Sequence, residues 1–216
     1  MTGLVPQGWA AFGASFTAIT LAELGDKTFF MALILAARHR ARDVFVGAFA
    51  ALAAVTLLSL ALGYGLRELL PQTLVPWLAA FLFLGFGVKL LWEAQGMAAD
   101  GAAEEARDAE ATIDQAEGRG APARTAGGVI WEAFVLVFLA ELGDRTQFTT
   151  IFLATAPAFT FAGLLAGTLA GHGLVTGLAV GAGKWIGGRL SEQLLYRLSG
   201  GLFLVFGLAA LQQALR

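Results

Sequence analysis

The stretch Leu21-Ala22-Glu23-Leu24-Gly25-Asp26-Lys27-Thr28 recurs 118 residues later as Leu139-Ala140-Glu141-Leu142-Gly143-Asp144-Arg145-Thr146. Only the seventh position differs, and it exchanges Lys for Arg, so the charge is kept. The match runs outward at the same offset: Phe16 with Phe134, Phe30 with Phe148, Leu35 with Leu153 and Ala36 with Ala154. Further on, the run Phe81–Gly87 resembles Gly201–Gly207. The two halves read as diverged copies of one unit.

The surroundings of the repeat are apolar. Of 216 residues 57% are hydrophobic and 14% charged, against about a quarter charged in soluble domains. Mean hydropathy is +0.72. Apolar segments at 9–37, 44–66, 72–94, 128–155, 157–182 and 195–215 are each long enough to cross a hydrocarbon core about 30 Å thick. Their continuous apolarity, with no alternation, favours helices over strands. Without a basic residue before the first segment, or a cleavage site after it, that segment is read as a retained span and not a signal peptide.

The expected fold class is therefore an all-α membrane protein of six transmembrane helices. Residues 1–95 form a first three-helix repeat, 96–127 an acidic linker and 128–216 a second three-helix repeat. Three spans is an odd number, so the second copy enters the membrane from the opposite side. That is an inverted repeat, which brings the two motifs face to face near the midplane. The linker carries Asp100, Glu104, Glu105, Asp108, Glu110, Asp114 and Glu117. It reads as a polar connection, partly helical, in preference to a metal-sensing element.

Loop charge gives the orientation. Arg38, Arg40 and Arg42 lie in the first loop, Arg107, Arg119 and Arg124 in the central one, and Lys184, Arg189 and Arg197 around the fifth. The other side offers little beyond Arg67 and Arg216. Cytoplasmic loops are the basic ones. The acidic linker is thus expected in the cytoplasm and both termini outside.

Glu23 follows 22 residues without a charged side chain, and Glu141 lies about as deep in the fourth span. A charge at a helix centre costs about 2.5–3.5 kcal/mol, so three in one motif cost on the order of 8–10 kcal/mol before pairing. Such groups must face each other or a wet cavity. Glu23 and Asp26, like Glu141 and Asp144, are three apart and share a face of an ideal helix. Four carboxylates then converge, and oxygen-only ligand sets suit hard divalent cations. Thr28 and Thr146 offer hydroxyls but point off that face in an ideal helix, and Gln147 offers an amide oxygen in the second copy only. Lys27 and Arg145 are placed to pair, four residues on, with Glu23 and Glu141. A break at Gly25 or Gly143 would free backbone carbonyls as further ligands.

Four carboxylates less the two cations leave a charge of minus two. One divalent ion or two protons balance it, which is what an antiporter needs. The plainer alternative is a buried salt-bridge network holding the bundle together.

Weaker features surround this motif. Gly163, Gly167 and Gly171 form a small-residue ladder suited to close helix packing. His172 lies mid-span and is read as a packing or hydrogen-bonding group in preference to a proton relay. Glu93 and Glu132 sit at span ends near the linker and are read as interfacial in preference to lining a cytoplasmic vestibule. Trp77, Trp92, Trp131 and Trp185 sit where interfacial anchors sit.

A doubled Glu-x-Gly-Asp-Lys/Arg-Thr motif, each copy opening a three-helix half, with an acidic loop between, resembles the Gdt family of cation/proton antiporters. The resemblance covers nearly the whole chain. It implies exchange of Mn²⁺ or Ca²⁺ for protons, with manganese export for bacterial members, and no enzymatic activity or prosthetic group. It also implies that Glu23, Asp26, Glu141 and Asp144 bind the ion, with Lys27, Thr28, Arg145, Thr146 and Gln147 as motif neighbours. The chain lacks the extra N-terminal segment of many eukaryotic members, which fits the expectation of a bacterial plasma-membrane protein. The expected partners are the divalent ion, protons and the bilayer, with homo-oligomerisation left open and no nucleic acid. Two alternatives stand beside this reading. A membrane-embedded metal-dependent enzyme would use the acids, but the chain has no Cys, no His-rich set and no Ser/His constellation. An exporter of a small organic solute would need an asymmetric pocket in place of an all-oxygen one.

Overall fold

The computed structural model describes residues 7–71, 73–96, 101–118, 125–186 and 192–215. Arg119, Arg124, Arg189 and Arg216 of the charge argument lie outside the described residues, as do the side chains of Lys184 and Trp185. The described residues form helices α1 (Gln7–Glu23), α2 (Lys27–Arg38), α3 (Ala41–Leu69), α4 (Val75–Gly96), α5 (Gly101–Gly118), α6 (Ala126–Glu141), α7 (Arg145–Thr155), α8 (Phe161–Ile186) and α9 (Glu192–Ala214). The all-α expectation holds for them.

The expected continuous spans 9–37 and 128–155 are each two helices. The motif is the break, between α1 and α2 and again between α6 and α7. Gly25 and Gly143 take positive φ, 78° and 88°, a conformation a side chain would strain. The Asp26 amide reaches back to the Glu23 carbonyl and that of Asp144 to Glu141, both at 3.2 Å. Asp26 and Asp144 then occupy the N-cap positions of α2 and α7. The glycine in each motif therefore turns the chain, and the aspartate restarts it.

Three described helices are long and apolar enough to cross a membrane by themselves: Ala41–Leu69, Val75–Gln95 and Phe161–Gly181. The pair α6 and α7, bent by 69°, makes a fourth if taken as one broken span. The expected segments 9–37 and 195–215 are helical but are not among these. In the first, the motif both shortens the helices and concentrates charge.

The main packing partnerships each join a helix before residue 97 to one after residue 125. They are α4 with α9, α1 with α8, and α3 with α6, α7 and α8. Close approach depends on small residues. A Cβ on Gly47 would meet the Ile130 carbonyl oxygen at 2.3 Å, and one on Gly63 the Ile151 carbonyl oxygen at 2.4 Å. The ladder expected on α8 faces α1, where Gly163 lies against Gly8 and Gly167 against Phe12. On the outside, Leu57, Phe81, Val88 and Leu62 are exposed, as suits a hydrocarbon solvent. Trp92 and Trp131 are exposed too, 75% and 67%, in keeping with anchors at span ends.

Part of the linker turns out to be a docked helix. Ala109 and Ile113 of α5 are fully buried in a cluster with Phe29, Phe30 and Leu35 of α2. Arg38, at the end of α2, reaches Asp114 at 2.7 Å and Glu117 at 2.9 Å. Burying Ile113 contributes about 1.5–3 kcal/mol. Ion pairs this exposed add about 0–1 kcal/mol. Apolar burial therefore docks α5, and the charges orient it.

Candidate functional site

The two breaks meet inside the bundle. Glu23 ends α1 and is 2% exposed; Glu141 ends α6 and is 1% exposed. Carboxylate oxygens of Glu23, Glu141 and Asp144 all lie within 4.8 Å of one another, a spacing that one oxygen-coordinated cation can bridge. Glu23 Oε1 and Glu141 Oε1 are buried and accept no hydrogen bond. Buried carboxylate oxygens without a hydrogen bond are costly unless a cation or a proton accompanies them. A network built only to hold helices together would alternate its charges; this cluster does not.

The helix ends add to the same point. The C-terminal carbonyl ends of α1 and α6 point at the break, which suits a cation. The N-termini of α2 and α7 begin there as well, which suits the carboxylates of Asp26 and Asp144. The Thr146 backbone amide donates to Asp144 Oδ2 at 3.3 Å.

Three expectations about the motif change. Glu23 and Asp26 do not share a continuous helix face, since the break lies between them, and the same holds for Glu141 and Asp144. The threonines, expected to point away, turn inward because the break re-aims the first turn of the next helix. Thr28 donates to Glu23 Oε2 at 3.0 Å, and Thr146 donates to Glu141 Oε2 at 3.0 Å. Arg145 does not pair with Glu141 in its own half but crosses to Asp26 of the other copy. Asp26, so paired, is not among the three carboxylates that lie within 4.8 Å of one another. No ion pair joins Lys27 to Glu23 among the described residues. Gln147 accepts from the Gly143 amide at 2.7 Å and so braces the turn; the equivalent position in the first copy is Phe29.

Sequence reasoning did not assign several neighbours to the site. His172 of α8 is 5% exposed, with Nδ1 3.7 Å from Glu23 Oε1. Tyr196 of α9 carries the Arg145 guanidinium on its ring, at 5.2 Å from the centroid. Its hydroxyl donates to Glu105 of α5 at 3.4 Å. Burial raises the Glu105 carboxyl above its ordinary pKa, and Arg145 opposes that rise. These residues lie far apart in the chain and match no motif, so only their surroundings mark them.

A cavity of about 320 Å³ reaches the site, lined by Asp26, Asp144 and Arg145 together with Lys89, Glu93, Glu105 and Tyr196. Glu93 thus belongs to a vestibule, the alternative to a plain interfacial position. Glu132 lies elsewhere, 4.0 Å from His39. A second cavity, about 340 Å³ and mostly apolar, lies between α4, α7 and α9, with Thr155 and Gln213 in its wall. Along α4 and α7 the two cavities are separated by ring pairs: Phe86 with Phe148 at 6.3 Å, then Phe83 with Phe152 at 6.4 Å. Phe203 stacks behind them on Phe83 at 6.0 Å. The cavity that holds Asp26 and Asp144 and the apolar one therefore lie on either side of a layer of aromatic rings.

Comparison with known proteins gives a consistent picture. The family profile described as divalent cation/proton antiporter GDT1 matches residues 11–98 and again 129–216. A GDT1-like protein of Synechocystis sp. is 41% identical over 200 residues, covering 93% of this chain and 96% of that protein. The chloroplastic protein PAM71 of Arabidopsis thaliana is 42% identical over 208 residues. That alignment takes in 91% of this chain but 55% of PAM71, so the chain spans about half the length of that relative. A chloroplastic GDT1-like protein 1 of Oryza sativa is 37% identical over 212 residues, covering 93% of this chain and 61% of its own length. No solved structure matches the chain.

Proposed function

Since this chain belongs to the GDT1 family of divalent cation/proton antiporters, we propose that it exchanges Mn²⁺ or Ca²⁺ for protons at the paired motifs, by alternating access. As a family of transporters, its members move divalent cations and protons and call for no prosthetic group. The enzyme alternative falls with that assignment. The observation that carries the site is the buried convergence of Glu23, Glu141 and Asp144 from two separate breaks. Asp26 is the fourth ligand, recruited from Arg145, and Thr28 and Thr146 steady the two glutamates. Gln147 braces the second break.

The six-span inverted repeat is the architecture that accounts best for these features. Both motif copies break the chain with the same glycine conformation, and the family profile matches each half separately. On this reading α1 with α2 and α6 with α7 are broken spans, and α9 is the sixth. Loop charge puts Arg38, Arg40 and Arg42 in the cytoplasm, on the side of α5. The vestibule lined by Glu93 and Glu105 then opens inward, and the ring layer closes the outward side. Loading from the cytoplasm makes this chain an exporter, which fits a bacterial plasma membrane.

Flux into proteoliposomes, with Mn²⁺, Ca²⁺ and Mg²⁺ run in parallel, tests the proposal. Uptake of Mn²⁺ or Ca²⁺ is expected to follow an imposed pH gradient and to acidify the opposite compartment. Flux indifferent to the gradient would mean a channel, and uptake of none of the three ions would sink the reading.

A further inference from the structure

We propose that Glu105 of α5 is the counter-ion that takes over Arg145 when the transported cation takes Asp26. The inference rests on reading the two motifs as the ion site. It assigns a positioning role to a residue of the acidic linker.

Three of the motif carboxylates converge, while the fourth, Asp26, is tied to Arg145. A hard divalent cation seeks six or more oxygen ligands, so Asp26 is a gain once it is freed. Arginine keeps its proton under all ordinary conditions. Its side chain here is only 15% exposed, so leaving the guanidinium unpaired costs more than the new ligand returns. Release of Asp26 therefore requires a second carboxylate within reach of Arg145.

Glu105 fits that requirement. Arg145 already rests on the face of Tyr196, and the hydroxyl of the same ring donates to Glu105 Oε1. Moving toward that edge keeps the guanidinium on the ring throughout. Asp26, Arg145, Tyr196 and Glu105 line one cavity, so no wall stands between the two positions. Arg145 Nε is buried without a hydrogen-bond partner and has a donor to offer at either. Of the other carboxylates in the cavity wall, Asp144 belongs to the converging ion cluster, and Glu93 is 39% exposed and engaged by Lys89 at 3.6 Å. The motif then works as a relay: the cation displaces Arg145, and α5, held in place by Ile113, receives it.

Glu105→Gln tests this in the purified full-length protein, titrated calorimetrically with Mn²⁺ alone and Ca²⁺ alone. The Kd for both ions is expected to rise about tenfold, the equivalent of 1.4 kcal/mol. The ion-free melting temperature is expected to hold, and Glu105→Asp to recover most of the affinity. In an Asp26→Asn background Arg145 has no partner to leave, so adding Glu105→Gln is expected to cost less than about twofold. Unchanged affinity in Glu105→Gln overturns the proposal, as does an equal loss in both backgrounds. A loss that follows a fall in ion-free stability, without rescue by Asp, reduces Glu105 to a packing role and also overturns it. Glu141→Gln in the same titration separates the two levels. If it binds ions normally, the reading of the ion site fails, and this proposal falls with it.

Discussion

Glu141→Gln is expected to abolish exchange while leaving the protein folded. Glu141 is 1% exposed, accepts from Thr146 at Oε2, keeps Oε1 buried without a hydrogen bond, and places a carboxylate oxygen within 4.8 Å of Glu23 and Asp144. Gln keeps the volume and keeps an acceptor for Thr146. What goes is one charge of the four, so the remaining site carries minus one and no longer balances a divalent ion. Loss of an outer-shell partner commonly costs about 10–100-fold in metal affinity, and a ligand costs at least as much. Proton-driven uptake of Mn²⁺ or Ca²⁺ is therefore expected to fall by about a hundredfold or more. Ion-free thermal stability should stay level or rise, because removing one of three clustered carboxylates relieves their repulsion. A large loss of ion-free stability with transport intact would return the cluster to the role of a structural network.

The second large effect is expected at Gly167. A Cβ there would meet Ser15 Oγ at 2.2 Å, the Phe12 carbonyl oxygen at 2.4 Å and Phe12 Cα at 2.9 Å. A serine can rotate away, but the α1 backbone cannot move without leaving α8. Overpacking of this kind costs about 1–3 kcal/mol, occasionally more, and Gly167→Val puts its branch at the tightest point. Membrane helices associate through close packing, so little else compensates. Glu23 sits at the end of α1 with His172 of α8 beside it, so separation of the helices also disturbs the site. Gly167→Val is expected to lower the melting temperature sharply and weaken ion binding with it. Gly181→Ala on the same helix, where the added carbon meets nothing within 4 Å, is expected to be neutral. Equal melting temperatures for the two variants would contradict this account of the ladder.

How far the residues spoke for themselves follows from where each signal lives. The ladder on α8 was legible because spacing of small residues is itself the packing device. The motif was legible because charge in an apolar segment is expensive wherever the helix goes. Its break was only half legible: Gly25 and Gly143 marked a weak point, but an ideal helix put Glu and Asp on one face and the threonines elsewhere. Real φ values of 78° and 88° re-aim everything that follows. Arg145 read as a partner for its own Glu141, because local spacing counts only neighbours along one helix. Its true partner, Asp26, lies 119 residues away, in the other copy. Glu105 was lost among the acids of the linker, since nothing in the chain order ties it to Tyr196. Ile113, one apolar residue among charges, was the clue that this stretch docks.

The central claim is that one cluster of carboxylates takes either a divalent cation or protons. Proton release on ion binding measures it directly. The purified protein is titrated with Mn²⁺ in weakly buffered solution, and protons freed per ion bound are counted. Four motif carboxylates less Lys27 and Arg145 leave two charges for protons to hold in the ion-free state. About two protons per Mn²⁺ are expected from the wild-type protein near the lower end of its working pH, falling as pH rises. No release at any pH, with Mn²⁺ bound at full occupancy, would show that protons and cation do not share the site and would contradict the account.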